Sequence, residues 1–175
     1  MDSPGNPDSE YQTITSYYPN QGKQYEITTK DAKIHSLISY HQSGAIYTSL
    51  TLTDAACLTF SGEEYSEDSK LLYKGNFING KKNLLGTSYN TFTNTKIYDG
   101  EWLDNAWNGQ GTEFFTNGNK SYQGHFRKGL KNGFGTSYSI DSTKLYEGNW
   151  KDDNYFGKGC YYNEHGNPKF FSPKN

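Results

Sequence analysis

The fold is decided by a short stretch that the chain repeats, and its clearest copy reads YQGHFRKGLKNGFG at residues 122–135. Its opening has a tyrosine, a glycine and an aromatic residue at two-residue intervals, and this opening recurs at Tyr73, Tyr98 and Tyr146. The separations are 25, 24 and 24 residues, and Phe170 continues the series another 24 residues on. A constant spacing of this size indicates a repeat architecture, in which each unit stacks on its neighbours.

Each copy carries further signals at fixed distances from its tyrosine. Two glycines follow eleven and thirteen positions on, as at Gly133 and Gly135, and another aromatic residue follows at sixteen positions. The earliest copy has Leu84 in place of the first glycine. The sixteen-residue signal also extends upstream, to Tyr65 and Tyr40, where the tyrosine and glycine opening has vanished. The array therefore starts before its first complete copy.

These signals divide the chain into three parts. Residues 1–30 are polar, acidic and without a period, which predicts an unstructured or partner-ordered tail. Residues 31–72 are predicted to be degenerate repeats that cap the array, because solenoids need atypical ends. Residues 73–171 are predicted to form four repeats, at 73–97, 98–121, 122–145 and 146–169, followed by a truncated terminal strand.

The spacing within a repeat also predicts a strand register. Residues two apart lie on the same face of a strand, so the tyrosine, the glycine and the next aromatic residue share one face. A hairpin centred seven to eight residues after each tyrosine sets Trp102 opposite Gly109 and Gly100 opposite Gly111. Asn117-Gly118 is typical of a two-residue type I′ turn to the next hairpin. The predicted fold is all-β: an elongated, twisted, single-layer antiparallel meander of stacked hairpins.

The composition agrees with this architecture. Hydrophobic residues make up only 32% of the 175 residues, below the roughly 45% of an average globular domain, yet aromatic residues alone reach 17%. The chain contains no valine and one methionine. A core of aliphatic layers is therefore excluded, and with it most doubly wound sheets and helical bundles. The 19 glycines instead offer surfaces over which aromatic rings can lie.

Charge and cysteine content narrow the functional classes. The net charge is −2, divided as −7 over residues 1–69 and +5 over residues 70–175, and so dilute a positive charge does not predict nucleic-acid binding. Two cysteines 103 positions apart argue against a disulfide framework and a zinc site. No run of 18 apolar residues occurs and the first ten residues are polar, so we expect a soluble, intracellular protein without a membrane span or secretory signal.

No constellation of catalytic residues is found in the sequence. The glycine pairs of the repeats lack the spacing of phosphate-binding loops and open strands rather than helices. Cys57 could be paired with His35 or His41 as nucleophile and base, but its neighbours are more typical of a half-buried strand. His125 and His165 have no second ligand at metal spacing. We therefore expect no enzymatic activity, no cofactor, no metal and no small-molecule substrate.

Two sets of residues are candidates for binding a protein partner. A single-layer sheet has no second layer over its aromatic face, so that face is predicted to be a groove for a partner, unless its rings only stack between repeats. The rings of this aromatic face are Tyr73, Phe77, Tyr98, Trp102, Tyr122, Phe126, Tyr146 and Trp150. The second candidate is a ridge of apolar loop residues, unless these pack on neighbouring loops. The ridge consists of Leu84, Leu85, Trp107, Leu130, Tyr155 and Phe156.

Basic residues at the same hairpin ends suggest a different ligand, an anionic membrane surface. They are Lys81, Lys82, Arg127, Lys128, Lys131 and Lys151. Each lysine near such a surface contributes roughly 1 kcal/mol. Asp104, Asp152 and Asp153 interrupt the cluster. Lipid binding is therefore the alternative to a protein partner.

The repeat resembles the MORN repeat, whose pattern is Tyr-x-Gly-x-(Trp/Phe)-x-x-Gly-x-x-x-Gly-x-Gly. Residues 122–135 match it at every signature position. The two neighbouring copies depart only at Asn105 and Asp153, where the family usually has glycine, and the first copy departs at Leu84. The resemblance implies an elongated twisted sheet of stacked hairpins, in agreement with the register above.

Proteins with such repeats include radial spoke head proteins of cilia, junctophilins, apicomplexan scaffold proteins and plant phosphatidylinositol phosphate kinases. The resemblance thus implies a non-enzymatic scaffold or adaptor with protein partners in a larger assembly, and lipid binding as the alternative. Sixteen lysines against one arginine, with seventeen asparagines, favour an AT-rich genome of the ciliate or apicomplexan kind. Together with the resemblance to radial spoke proteins, this composition leads us to expect a place in the cytoplasm or cytoskeleton, in particular in a ciliary or axonemal assembly.

Overall fold

A computed structural model describes residues 11–171 as one sheet of 14 strands. The strands lie in chain order and each pairs antiparallel with the next, so the sheet is an open meander. The prediction of an all-β antiparallel meander is confirmed. The strands are β1 (Tyr11–Tyr17), β2 (Lys23–Lys30), β3 (Lys33–Tyr40), β4 (Ile46–Asp54), β5 (Thr59–Tyr65), β6 (Leu71–Ile78), β7 (Lys81–Tyr89), β8 (Lys96–Leu103), β9 (Ala106–Phe114), β10 (Lys120–Arg127), β11 (Leu130–Tyr138), β12 (Lys144–Lys151), β13 (Asn154–Tyr162) and β14 (Pro168–Phe171).

The sheet begins earlier than the sequence suggested. Residues 11–30 were expected to belong to an unstructured or partner-ordered tail, but they form the hairpin of β1 and β2. Residues 1–10 lie outside the described residues. This hairpin lacks the tyrosine and glycine opening, so a search for that period misses it. Ile14 lies opposite Ile27, which lies opposite Leu37.

One row of residues runs along the whole sheet and changes its chemistry on the way. From the isoleucines of the first hairpin it continues through Leu37, Leu50 and Gly62 to Gly75 and Gly86. Aliphatic side chains thus fill the positions that glycines occupy further along. The region 31–72, predicted to be degenerate repeats, keeps the hairpin geometry while replacing the aromatic core with this aliphatic row.

From β6 onward the core consists of aromatic rings lying on glycines. We call this side of the sheet the core face and the opposite side the outer face. Gly100 and Gly111 pair across β8 and β9, and the ring of Tyr98 lies over both, since a Cβ built on Gly111 falls 2.2 Å from the Tyr98 hydroxyl. The hydroxyl donates a hydrogen bond to the Glu101 carbonyl at 2.8 Å. The same arrangement recurs at Tyr73, Tyr122 and Tyr146.

The hairpin register differs in part from the predicted one. Gly100 pairs with Gly111 as expected, but Trp102 lies opposite Trp107 and not opposite Gly109. The turn is tighter than predicted, and the extra residues form a bulge in which Gly109 takes a φ of +73°. The bulge restores the glycine pairing after the turn has shifted it. Trp102 instead faces a second tryptophan.

The turn at Asn117-Gly118 also differs from the type I′ turn that was predicted. Gly118 takes a positive φ of 88°, whereas Asn117 does not take one. The Phe115 carbonyl accepts a hydrogen bond from the Gly118 amide at 2.9 Å, and the Phe115 amide donates to the Asn119 carbonyl at 2.8 Å. These bonds define a longer hairpin loop that ends in a left-handed glycine. The strands nevertheless meet in the predicted register, with Glu113 opposite Tyr122.

Asn105 and Asp153, which replace the family glycine, lie in turns that reach back to the preceding hairpin. Their φ angles are 70° and 66°, in the left-handed region that glycine would favour. Each side chain accepts a hydrogen bond from a backbone amide, that of Lys82 or Lys131, at 2.8 Å. Both residues therefore tie one repeat to the one before it. Glycine could adopt the conformation but could not make this bond.

Asn105→Ala is expected to lower the free energy of unfolding by about 2 kcal/mol, because alanine is strained at positive φ and leaves the Lys82 amide without its acceptor. Asn105→Gly keeps the backbone conformation and is expected to cost less than about 1 kcal/mol. Urea denaturation followed by tryptophan fluorescence measures both values. Equal costs for the two variants would contradict this role of the backbone conformation.

Candidate functional site

The aromatic face predicted to be a partner groove is the buried core of the sheet. Its four tyrosines are at most 1% exposed, and its phenylalanines and tryptophans are 3–7% exposed. Rings of the same repeat and of the next one cover each other: Tyr98 meets Trp102 of its own repeat at 5.4 Å and Phe126 of the next repeat at 5.2 Å, both edge to face. Trp102 also donates its indole N–H to the Gly86 carbonyl at 2.9 Å. These rings stabilise the fold, and they offer a partner almost no surface.

The position nine residues after each tyrosine completes this cover. Lys82 and Lys131 place their ammonium groups 5.0 Å and 5.2 Å from the centres of the Tyr73 and Tyr122 rings. In the other two repeats this position is Trp107, stacked at 4.5 Å on the tyrosine ring, or Tyr155. Cations and aromatic rings therefore alternate, and the sheet has a structural unit of two repeats.

The residue paired with each core tyrosine on the preceding strand follows the same alternation. Lys82 forms an ion pair with Glu64 at 3.0 Å, and Lys131 forms one with Glu113 at 2.9 Å. These lysine side chains are only 20% and 22% exposed, so their charges are held over the tyrosine rings by a carboxylate neighbour. Where the cover is aromatic, the residue that corresponds to the glutamate is Ser88 or Ser137. The lysine and the glutamate thus occur together.

The basic cluster predicted to bind lipid is divided between the two faces. Lys82 and Lys131 lie on the core face in the ion pairs described above. Lys81 pairs with Asp104 at 3.4 Å and Arg127 with Asp152 at 3.8 Å, while the Lys151 ammonium lies 5.5 Å from the Phe156 ring. The aspartates that interrupt the cluster in sequence thus neutralise part of it in space. The six side chains, which include Lys128, do not form one continuous basic surface.

Apolar side chains collect on the outer face, near the tight turns. Their outward direction follows from strand alternation, since Leu85 and Phe134 each adjoin a glycine of the core face, and Leu103 and Leu130 each adjoin a core-face ring or lysine. Five residues that are 40–63% exposed make up this outer apolar patch: Leu85, Leu103, Leu130, Phe134 and Phe156. From β7 to β13 the patch extends about 29 Å, at the usual spacing of neighbouring strands.

The residues of the predicted loop ridge lie on different faces of the sheet. Leu85, Leu130 and Phe156 belong to the outer apolar patch, but Trp107 and Tyr155 point to the core face and stack on the buried tyrosines. Their burial there follows from the tight turn, which places them opposite Trp102 and Trp150. Leu84 is half exposed, in a bulge opposite Trp102, with a φ of 57°.

Sequence reasoning missed two members of the outer apolar patch, Leu103 and Phe134. A signal for Phe134 was present, because it follows Tyr122 by twelve residues, as Leu85 follows Tyr73. Because Phe134 directly precedes Gly135, whose Cβ position faces the ring of Tyr122, alternation along β11 directs Phe134 outward. Leu103 directly follows a core tryptophan and could have been assigned to the outer face by alternation alone.

Beside Phe156 the outer face forms a shallow depression of about 390 Å³. Its walls include the side chains of Arg127, Asn132, Asn149 and Lys151. An apolar floor with cationic and amide groups around it suits a protein segment that carries apolar and acidic side chains.

Residues 11–171 contain no group of three histidine, cysteine, aspartate or glutamate side chains that could hold a metal ion. In the same residues no helix is long and apolar enough to cross a membrane. Cys57 was expected in a half-buried strand but is exposed in the turn between β4 and β5.

The family model of the MORN repeat matches residues 73–83, 98–120, 122–144 and 146–164. A search of the curated proteins found no match. The first segment ends just before Leu84, the residue that replaces a signature glycine. MORN repeats are non-catalytic modules that generally mediate protein or membrane-lipid interactions. The matched segments contain most of the hairpins that carry the aromatic core, and through residues 73–164 the chain therefore belongs to the MORN repeat family.

Proposed function

We propose that this protein is a non-enzymatic scaffold or adaptor that binds protein partners through the outer apolar patch. The observation that carries the proposal is the exposure of five large apolar side chains on a sheet whose core is already complete without them. Apolar side chains collected on one surface mark interaction sites, whereas isolated ones need no explanation. The ordered sheet beneath them fixes their spacing, so a partner would meet a preformed surface.

The charges around the patch favour a protein over a membrane as its ligand. A membrane-binding surface needs several unpaired cations that face the same way. Here Lys81 and Arg127 are paired with aspartates, and Lys131 is held on the core face by Glu113. The patch itself carries polar groups at its edges, such as Asn132 and Asn149, which can form directed hydrogen bonds with a protein.

We further propose that the partners belong to a cytoskeletal assembly, specifically the radial spokes of a ciliary axoneme. The likeness of the repeats to those of radial spoke head proteins supports this, as does the lysine- and asparagine-rich composition. A tagged copy expressed in ciliated cells is expected to remain with axonemes after detergent extraction. Full release with the soluble fraction would contradict the ciliary location but leave the scaffold proposal standing.

Substitution of the patch tests the scaffold proposal. The triple variant L85S, F134S and F156S is expected to reduce recovery of specific partners at least tenfold, because apolar anchors carry most of the affinity of an interface. The matched control is L58S, F92S and I140S, which removes three exposed apolar side chains outside the patch. Affinity purification with quantitative mass spectrometry measures both variants, and circular dichroism confirms that they are folded.

Three outcomes are informative. Loss of partners from the patch variant but not from the control supports the scaffold. Equal recovery of all partners with both variants would overturn the use of this patch. Flotation with vesicles of phosphatidylcholine and phosphatidylinositol phosphates at physiological salt, abolished by the patch variant, would instead assign the surface to lipid.

A further inference from the structure

The two edges of the sheet differ in their ability to pair with another strand. The last strand, β14, has four residues, begins with Pro168 and carries Lys169, and both features hinder edge pairing. The first strand, β1, has seven residues without a proline or a charge. Within residues 11–171, β1 pairs only with β2. One edge of the sheet is therefore blunted while the other presents an uncharged strand.

The sequence of β1 is nearly symmetric about its central residue. It reads YQTITSY, with tyrosines at both ends, threonines on either side of Ile14, and Gln12 and Ser16 between them. Such symmetry serves no purpose in pairing with β2, whose sequence KQYEITTK is not symmetric. It does suit a two-fold interface, in which each surface must be complementary to itself.

Antiparallel pairing of two β1 strands centred on Ile14 creates only compatible neighbours. Ile14 meets Ile14 of the second copy, Thr13 meets Thr15, and Tyr11 meets Tyr17, while the amide of Gln12 lies opposite the hydroxyl of Ser16. Aromatic, threonine and aliphatic pairs of this kind stabilise antiparallel sheets. The register suits the backbone as well. Residues paired about Ile14 are either both odd-numbered or both even-numbered. Since the amides and carbonyls of alternate residues point to the same side of a strand, the free groups of one β1 edge face the free groups of the other.

The two-fold register also continues the aliphatic row of the core face. Ile14 is 60% exposed at the edge, although it is the last member of the row that runs through Ile27 and Leu37 to the buried Leu50. A second copy would place its own Ile14, Ile27 and Leu37 in line with these residues. The row would then run unbroken across the two-fold axis, and the most exposed isoleucine of the chain would be covered.

We propose that the protein forms a homodimer by antiparallel pairing of the two β1 strands about Ile14, so that two 14-stranded sheets join into one. The two outer apolar patches would then lie on the same continuous sheet, far from the junction. The dimer rests on the β1 edge alone and does not depend on what the outer apolar patch binds.

Cysteine crosslinking of the full-length chain tests the register. In a background in which Cys57 and Cys160 are replaced by serine, Ile14→Cys is expected to form a disulfide-linked dimer under mild oxidation. Opposite Cα atoms in an antiparallel pair are about 4.5–5.5 Å apart, within reach of a disulfide. Gln12→Cys and Ser16→Cys are matched controls on the same face, whose equivalent atoms would lie about 14 Å apart across the axis. Neither control should crosslink alone, but a mixture of the two should.

A charge test gives an independent readout in light scattering coupled to size-exclusion chromatography. T13K/T15K places lysines opposite each other twice and is expected to yield the 19.9 kDa monomer. T13E/T15K places a glutamate opposite a lysine twice and is expected to yield a species of twice that mass, as the unaltered protein does. Thermal unfolding by circular dichroism checks that both variants are folded.

The proposal is overturned if Ile14→Cys crosslinks no faster than Gln12→Cys, or if both charge variants have the same mass. Crosslinking of Ile14→Cys to another protein in a lysate, without self-crosslinking of the purified chain, would also overturn it and would assign the edge to a foreign strand.

Discussion

Gly111→Ala is expected to destabilise the sheet by about 3 kcal/mol or more. The added Cβ would fall 2.2 Å from the Tyr98 hydroxyl and 2.4 Å from two ring carbons. The ring cannot move aside, because Trp107 is stacked on its other side at 4.5 Å and Trp102 and Phe126 close its edges. Urea denaturation followed by tryptophan fluorescence measures the loss.

Gly118→Ala is the matched control for the same chemical change. Gly118 has a φ of +88° and open space around the position of a Cβ, so alanine there meets only backbone strain of roughly 1–2 kcal/mol. The account therefore predicts that the glycine without a special φ is the more costly one to replace. If Gly118→Ala were equally or more destabilising, the glycines would be needed for their backbone conformation and not for the space that they leave for the tyrosine rings.

A steep loss of stability above pH 10 is the second large effect that we expect. Burial raises the pKa of Tyr73, Tyr98 and Tyr122 far above the ordinary value of 10.0, and burial also raises that of Tyr146. Above pH 10 the unfolded chain therefore loses these protons while the folded chain keeps them. Stability is fully present below pH 10 and falls as pH rises, by about 1.4 kcal/mol per pH unit for each such tyrosine.

Absorbance at 295 nm and circular dichroism, recorded together during an alkaline titration, measure this effect. The core tyrosines are expected to ionise in one cooperative step that coincides with unfolding. Tyr122→Phe removes one proton from the linkage and should reduce the slope of stability against pH by about 1.4 kcal/mol per pH unit. Complete tyrosine ionisation while the β-sheet signal is still intact would contradict the burial of these rings.

The sequence predicts the fold well at the positions that have the same structural role in every repeat. The tyrosine and its two glycines can be read from spacing alone, because a ring over a glycine pair fits only one register, and Gly100 does pair with Gly111. The first hairpin could not be found in this way, because Ile14 and Ile27 replace rings and glycines by aliphatic packing. A search for a repeated pattern of residue types misses a strand that keeps the same pairing but has aliphatic side chains in place of aromatic rings and glycines.

The candidate site was harder to predict because it depends on bulges. Spacing assigned Trp107 and Phe156 to one ridge, but the tight turn and the bulge after it send Trp107 to the core face and leave Phe156 outside. A glycine that takes a positive φ can be recognised in the sequence, but the number of extra residues in the bulge around it cannot.

The unit of two repeats has a consequence for binding. Lys82 and Lys131 occupy the same position 49 residues apart, and so do Leu85 and Phe134 on the outer face. Two of the patch residues thus recur with the same period as the change of cover on the core face. A partner that recognises one apolar anchor would meet the next one two repeats away, about 19 Å along the sheet at the usual strand spacing.

Hydroxyl-radical footprinting of the protein, alone and in its purified complex, tests most directly the claim that the rings of the core face build the sheet while the outer face binds. In the free protein, Phe134 and Phe156 are expected to be oxidised rapidly and Tyr98 and Tyr122 slowly, although tyrosine is a reactive side chain. In the complex, only the residues of the outer apolar patch should become protected. Rapid oxidation of the core tyrosines, or a complex that leaves the patch as reactive as before, would contradict the account.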